Sequence, residues 1–251
     1  MSRLDRIARR FDQAADTYDE AARIQRRIAM ALADMILDEA LPKDAQVLEL
    51  GCGTGHLTRA LIGPLEPRSW IASDIAPAML TVLRRGLEHP ALSLKRLDAA
   101  QPDVQSRFDL VCSSLTLQWL PDPPAAIGRW RELVRPGGVL AFSTLLAGSF
   151  GEWRKALIAA GAPEPGPALP TLAELRDWLD PSAIVRELDI KEQHQDGLSF
   201  LRAARRAGVD TAFGRTLSAG ALRRALKLFE AAGAAVSHRA ALVLVRVSKP
   251  A

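Results

Sequence analysis

The chain has 251 residues, a length that predicts one large domain or a core domain with a smaller addition. Its composition of 48% hydrophobic and 25% charged residues is typical of a globular protein and excludes a disordered, collagen-like or disulfide-rich chain. Lys and Arg number 33 and Asp and Glu number 29, so the net charge of +4 does not indicate a nucleic-acid partner.

The first twenty residues mix charges of both signs with apolar positions, which argues against a signal peptide. No apolar run approaches the roughly 20 residues of a membrane span. Cys52 and Cys112 lie in apolar runs, where reduced, buried thiols are common. The sequence therefore predicts a cytoplasmic protein without a membrane or nucleic-acid partner.

In chain order, a helical leader ending near Pro42 is followed by apolar runs that alternate with segments of helical periodicity. That alternation predicts an α/β fold, with a Rossmann-like parallel sheet and helices on both of its faces. The predicted strands cover residues 45–50, 70–74, 92–98, 108–114 and 139–145.

The later part of the chain has a different composition, because the proline-rich segment at 163–170 is followed by arginine-rich helical patterns. We expect an N-terminal helical leader or lid at 1–41 and a core domain at 42–162. A linker and helical substrate lid, which could include a strand at 185–193, would occupy 163–238. Residues 239–251 would form a final strand that returns to the core sheet.

The segment VLELGCGTGH places three glycines, Gly51, Gly53 and Gly55, between a strand and a helix. Glycine lets the backbone approach a ligand closely, and the helix N-terminus offers unpaired N–H groups. The same glycines would also suit a tight turn without a ligand. A dinucleotide fingerprint needs its third glycine at the position of His56, so the pattern disfavours pyrophosphate binding.

Acidic residues stand at the ends of the first three predicted strands: Glu49, Asp74 and Asp98. Each alone could be a helix cap or a solvated turn residue. Together they lie at the carboxyl edge of one sheet, where open α/β folds bind ligands. Carboxylates there suit an ammonium group, the hydroxyls of a ribose and the amine of adenine, which together describe S-adenosylmethionine.

Residues 45–145 resemble the class I S-adenosylmethionine-dependent methyltransferases in ELGCGTG, SDIAPAML, LDAA and FDLVCSSLTLQW. This resemblance implies the fold and the cofactor. With the residues discussed above, it implies a cofactor site formed by Tyr18, Gln25, Glu49, Gly51, Gly53, Gly55, Asp74, Ile75, Asp98, Ala99 and Ser113.

The flanking segments resemble the malonyl-acyl-carrier-protein O-methyltransferases of biotin synthesis, the BioC family. The similarity rests on Phe11, Tyr18 and Gln25 in the leader, on LTLQW, and on STLLAGSF. It implies O-methylation of the free carboxylate of a malonyl thioester carried by an acyl carrier protein or coenzyme A. Three alternatives stay open: a methyltransferase of another substrate class, a non-catalytic cofactor-binding assembly protein, and an oxidoreductase, which His56 disfavours. The sequence does not define the oligomeric state.

Methyl transfer to a carboxylate needs no general base, because the acceptor oxygen is already ionised at neutral pH. Positioning and exclusion of water are then sufficient. The candidates for positioning the substrate are Tyr18, Gln118, Trp119 and Arg202, the last by the resemblance and as an arginine fork for a carboxylate. Each could instead be a packing residue or part of a solvated face. The four histidines are scattered without metal-ligand spacing, so no metal site is expected.

Overall fold

A computed structural model describes residues 3–162, 168–208 and 218–248. A single seven-stranded sheet forms its centre. The strands are β1 (Gln46–Leu50), β2 (Ser69–Asp74), β3 (Leu92–Arg96), β4 (Phe108–Ser114), β5 (Val134–Leu145), β6 (Ile184–Gln193) and β7 (Ala235–Arg246).

The strands lie in the order β3-β2-β1-β4-β5-β7-β6. Strands β1 to β5 pair in parallel, as the alternation of strands and helices predicts. Strand β7 runs antiparallel between β5 and β6, with Ala141 opposite Leu244 on one side and His238 opposite Ile190 on the other. The carboxyl ends of β1, β2, β4 and β5 therefore share one edge of the sheet with the start of β7 and the end of β6.

Helices cover both faces of the sheet, which confirms the predicted Rossmann-like α/β class. They are α1 (Arg3–Ala21), α2 (Arg23–Leu37), α3 (His56–Leu65), α4 (Pro77–Gly86), α5 (Pro123–Glu132), α6 (Gly151–Ala159), α7 (Leu172–Asp177), α8 (Gly197–Arg206) and α9 (Ala219–Ala231), with a short 3-10 helix at Leu117–Trp119.

Alternate residues of β1 enter different cores. Val47 packs with Ile28 and Leu32 of α2 and with Leu61 of α3, whereas Leu48 belongs to the core that contains Trp130 of α5. This period of two is what a strand covered on both faces requires.

A third apolar cluster joins α6, α8 and α9 beside the carboxyl edge of the sheet. It centres on Trp153, Phe200 and Phe229, whose ring centroids lie 5.3–5.5 Å apart. Aromatic contacts of this kind hold helices rigidly because each ring buries a large area in a defined orientation. The cluster fixes the three helices against one another at the edge where ligands enter open α/β folds.

Several segment boundaries differ from the sequence expectation. Strand β5 begins at Val134 and not at residue 139, since the RPGG turn continues the strand. Strand β3 ends at Arg96, so Asp98 lies beyond it. Strand β7 begins at Ala235, and β6 pairs with β7 from Ile184 to Gln193, so the segment expected at 185–193 belongs to the main sheet. In the proline-rich segment, residues 163–167 lie outside the described residues. No helix of the described ranges is long and apolar enough to cross a membrane.

Candidate active site

The glycine turn after β1 is shaped by steric requirements at two glycines. Gly51 has φ +69°, and a Cβ placed there would lie 2.1 Å from Oγ1 of Thr116, so the turn can pass the loop after β4 only without a side chain. Gly53 has φ +54°, and no atom lies within 4 Å of the position a Cβ would take. Both glycines line a cavity at the carboxyl edge of the sheet, where Gly53 leaves room for a ligand.

Asp74, the last residue of β2, is tied to the glycine turn. Its Oδ2 accepts a hydrogen bond from the N–H of Gly53 at 2.9 Å, and its Oδ1 accepts one from the N–H of Ala76 at 2.8 Å. Burial raises the pKa of Asp74 despite these hydrogen bonds. The turn and the carboxylate thus form one preorganised unit on the cavity wall.

Glu49 lies beneath the glycine turn and is only 1% exposed. Its Oε2 accepts hydrogen bonds from Oγ1 of Thr58 at 2.6 Å and from Nε1 of Trp70 at 3.1 Å. Burial raises the pKa of Glu49 to about 7, although both hydrogen bonds oppose this shift. Glu49 also lines the cavity, so a cationic ligand group there would favour its ionised form.

Helix α1 lies across this part of the cavity and is attached at two acidic residues. The carboxylate of Asp12 accepts a hydrogen bond from the N–H of Ala78 in the first turn of α4 at 2.9 Å. The carboxylate of Asp19 accepts a short hydrogen bond from the hydroxyl of Thr54, in the glycine turn. The leader therefore touches the glycine turn directly.

Tyr18 on α1 is half-buried and faces the same cavity. Its ring stacks on His56 with centroids 6.1 Å apart. Phe11, on the same helix, contacts the rings of Tyr18 and Trp119 edge to face. Burial, followed by the charges of Asp74 and Asp19, raises the pKa of the Tyr18 phenol, so the hydroxyl stays protonated. It is therefore a hydrogen-bond donor near two carboxylates.

Gln118 and Trp119 follow β4 in the short 3-10 helix and line the cavity. The amide nitrogen of Gln118 donates to the carbonyl of Leu115 at 2.7 Å, and its amide oxygen accepts from Oγ1 of Thr144 at 3.2 Å. These contacts fix the amide, whose NH2 group has a second hydrogen to donate.

The far part of the cavity carries basic side chains between aromatic walls. We refer to it as the histidine end, formed by Phe150, Arg154, Glu192, His194, Phe200 and His238. The part around the turn, formed by Glu49, Gly51, Gly53, Asp74 and Asp98, is the glycine-turn end. In the histidine end, Oε2 of Glu192 lies 3.4 Å from Nε2 of His194 and 3.7 Å from Nε2 of His238. Burial would raise the pKa of Glu192, but the two imidazoles hold it at about 2.

Most of the residues expected at the site meet in this one cavity. Those that line it are Tyr18, Gln25, Glu49, Gly51, Gly53, Asp74, Ile75, Asp98, Ala99, Gln118 and Trp119.

Gly55, Ser113 and Arg202 are not among the lining residues. Gly55 instead allows close packing, since a Cβ there would lie 2.4 Å from Cδ1 of Leu83. Ser113 is fully buried and donates to the carbonyl of Leu50 at 2.7 Å, which joins β4 to β1. Arg202 is exposed on α8, and Ala203 and Ala204 of the same helix line the cavity.

Sequence reasoning missed the histidine end. Nothing in the sequence links Arg154, His194 and His238, which are far apart in the chain and belong to no motif. A partial signal was available in the predicted strands at 185–193 and 239–251, because pairing them would bring their polar ends together. The contact of Asp19 with Thr54 was also missed, since acidic residues on a leader helix are usually solvated.

Comparison with known proteins gives consistent results. Residues 18–227 match the family model described as a methyltransferase domain. The chain is 41% identical over 236 residues to a biotin biosynthesis bifunctional protein BioCD of Bordetella avium, covering 93% of this chain and 50% of that protein. It is 35% identical over 234 residues to a malonyl-[acyl-carrier protein] O-methyltransferase of Magnetococcus marinus, covering 90% of this chain and 86% of the relative.

A solved structure shares the fold at low sequence identity. It is the phosphoethanolamine N-methyltransferase 2 of Haemonchus contortus in complex with phosphomonomethylethanolamine and S-adenosylhomocysteine. The TM-score is 0.63 at 15% identity, with 100% of this chain and 61% of that chain covered. The fold and the glycine-turn end thus define a class I methyltransferase. Within that class, the chain belongs to the family of malonyl-[acyl-carrier protein] O-methyltransferases. It spans half the length of the bifunctional Bordetella relative.

Proposed function

We propose that this protein binds S-adenosylmethionine at the glycine-turn end and transfers its methyl group to the free carboxylate of a malonyl thioester. The observation that carries the proposal is the joint unit of Asp74 and the glycine turn, facing a cavity whose walls reach Gln118 and Trp119. The family membership supports the acceptor, since the Magnetococcus relative is named for malonyl-acyl-carrier-protein O-methylation.

The residues at the glycine-turn end fit the cofactor chemically. The open space at Gly53 admits a ligand against the backbone. Asp74 and Asp98 would accept hydrogen bonds from the ribose hydroxyls and the adenine amine, and buried Glu49 would pair with the ammonium group. Tyr18, Gln25, Ile75 and Ala99 would complete the walls. Gly55 and Ser113 would support the site through the packing described above.

When bound, the cofactor would supply an electrophilic methyl group on a sulfonium: the carboxylate oxygen would form a bond to the methyl carbon while the carbon–sulfur bond breaks, and the thioether would leave in line with the electron pair. The protein's contribution is placement, because the acceptor oxygen needs no deprotonation. Gln118 and Trp119 would position the acceptor beside the cofactor. Helix α1, with Tyr18, would exclude water from the glycine-turn end of the cavity. Arg202 does not line the described cavity. We keep it as a proposed substrate-positioning residue.

An acyl carrier protein is acidic, and basic side chains cover the outer surfaces of α8 and α9. Arg205, Arg206, Arg223, Arg224 and Lys227 are all exposed. Such a surface would steer an acidic partner, and added salt would screen the attraction. We therefore propose the carrier protein as the source of the thioester, with the coenzyme A thioester as the competing source.

The test is incubation with methyl-labelled S-adenosylmethionine and a panel of thioesters, read by mass spectrometry. Methylated malonyl-acyl carrier protein is the expected product. Turnover only with unrelated small molecules would assign another substrate class, and cofactor binding without any turnover would favour an assembly role. A kcat/KM for the carrier substrate that does not change with ionic strength would contradict the steering surface.

A further inference from the structure

Arg154 is the one arginine or lysine among the described residues that line the cavity. The glycine-turn end has the carboxylates Glu49, Asp74 and Asp98 and lies beside the imidazole of His56, whereas the histidine end has the guanidinium of Arg154, two imidazoles and the carboxylate of Glu192. An anionic acceptor that reaches the cofactor would be attracted by the guanidinium of Arg154.

The histidine end is built by elements that fix one another. The carboxylate of Glu152 on α6 accepts hydrogen bonds from the N–H and the hydroxyl of Ser237 at 2.9 and 2.6 Å, which holds the start of α6 beside His238. The ring of Phe150 meets the His238 ring edge to face at 5.0 Å. Arg154 lies one helical turn further on, with its N–H bonded to the carbonyl of Phe150. The side chain of Arg154 is thereby carried on a rigid support.

The two imidazoles have buried polar atoms that lack satisfied hydrogen bonds. The side chains of His194 and His238 are 8% and 10% exposed. Neither Nε2 atom makes a hydrogen bond of normal geometry within the described residues, and Glu192 lies near both at ion-pair distance only. Buried polar atoms in folded proteins nearly always have a partner, so these atoms indicate a polar ligand in the cavity. The rings of His238 and His194 meet Phe150 and Phe200 edge to face, with centroids 5.0 and 5.3 Å apart.

We propose that Arg154, assisted by His238 and His194, binds the free carboxylate of the acceptor and selects an acyl group that ends in an anion. The inference rests on the proposed function and specifies how the same cavity recognises its acceptor. Arg154 would supply the charge and a planar pair of donors, and the imidazoles would add hydrogen bonds from β7 and the end of β6.

The anion could come from the malonyl carboxylate or from the phosphate of the pantetheine arm, and the choice of thioester separates these sources. We would measure methylation of malonyl-N-acetylcysteamine, which has no phosphate, and of malonyl-acyl carrier protein. For Arg154→Met we expect kcat/KM to fall about 10- to 100-fold with both substrates, the range for loss of a hydrogen bond to a charged group. Arg154→Lys should recover part of this loss, and His238→Asn should show a smaller decrease.

Two further measurements distinguish carboxylate binding from a structural role. Cofactor affinity by calorimetry should be unchanged in Arg154→Met, and inhibition by the uncharged methyl-ester product should stay close to wild type. Lys155→Met, an exposed residue on the same helix, is the matched control and should behave as wild type.

Three results would overturn the inference: full activity of Arg154→Met, a loss confined to the phosphate-bearing substrate, or a loss in Arg202→Met that Arg154→Met does not share. Failure of the wild-type protein to methylate any malonyl thioester would instead contradict the proposed function, and the two failures are therefore distinguishable.

Discussion

The carboxylate of Asp74, at the end of β2, accepts a hydrogen bond from the N–H of Gly53 in the turn that follows the adjacent strand β1. The side chain expected to bind the ribose therefore also fixes the turn expected to surround the cofactor. A substitution at Asp74 tests both functions together, and the choice of replacement separates them.

We expect Asp74→Ala to weaken cofactor binding by about 1.5–3 kcal/mol, because hydrogen bonds to a charged acceptor are lost. Asp74→Asn keeps one oxygen for the turn and should lose affinity with a smaller decrease in melting temperature than Asp74→Ala. Calorimetry with S-adenosylhomocysteine and thermal unfolding are the measurements. Unchanged affinity in Asp74→Ala would exclude the ribose assignment.

Glu49 predicts a specific dependence of stability on pH. Its pKa in the folded protein is about 7 against 4.5 for the free side chain, so folding favours the protonated form. This contribution is complete below pH 4.5 and is lost as the pH rises through 7, a change on the order of 3 kcal/mol. Comparison of denaturant unfolding at several pH values should show this decline in the ligand-free wild type and its absence in Glu49→Gln.

A bound cofactor should reverse the effect of pH at Glu49. The ammonium group would favour the ionised carboxylate, so cofactor affinity should increase between pH 6 and pH 8. Glu49→Gln should bind more weakly and without this increase. An affinity that is independent of pH in the wild type would show that Glu49 does not pair with the ammonium group.

Tyr18→Phe separates hydrogen bonding from packing. The phenylalanine ring can still stack on His56 and contact Phe11, so the melting temperature should change little. Cofactor affinity or turnover should fall several-fold, because the donor near Asp74 is lost. A lower melting temperature with normal turnover would indicate that Tyr18 acts through packing alone.

The attachment of α1 to the glycine turn should control how fast the cofactor leaves. Asp12→Ala and Asp19→Ala each remove one of the hydrogen bonds to Ala78 and Thr54, and both should increase the dissociation rate measured by stopped flow. Asp16→Ala is the matched control on the same helix, since Asp16 is exposed and its partner Arg85 is exposed too. Equal rates in all three variants would contradict a role for α1 as a cover.

The sequence was informative where the signals are local. Five parallel strands, the turn at Gly51 and Gly53, and the carboxylates after the strands follow from periodicity, glycine spacing and position within a strand. Gly55 illustrates the limit of such reasoning. The need for a glycine at this position comes from the close approach of Leu83, which lies on another helix. The pairing of His238 with Glu192 depends on the antiparallel register of β6 and β7, which no spacing along the chain encodes.

The position of β7 within the sheet has a consequence for the order in which the protein folds during synthesis. Strands β1 to β5 are consecutive in the sequence, from residue 46 to residue 145. All of them are therefore synthesised before β6. Strand β6 is joined to these strands through β7, which is translated more than forty residues later. Since domains can begin to fold while the chain is still being made, the glycine-turn end can form early, and the histidine end must wait for the last strand. A nascent chain stalled before β7 would thus have its glycine turn in place but no completed histidine end.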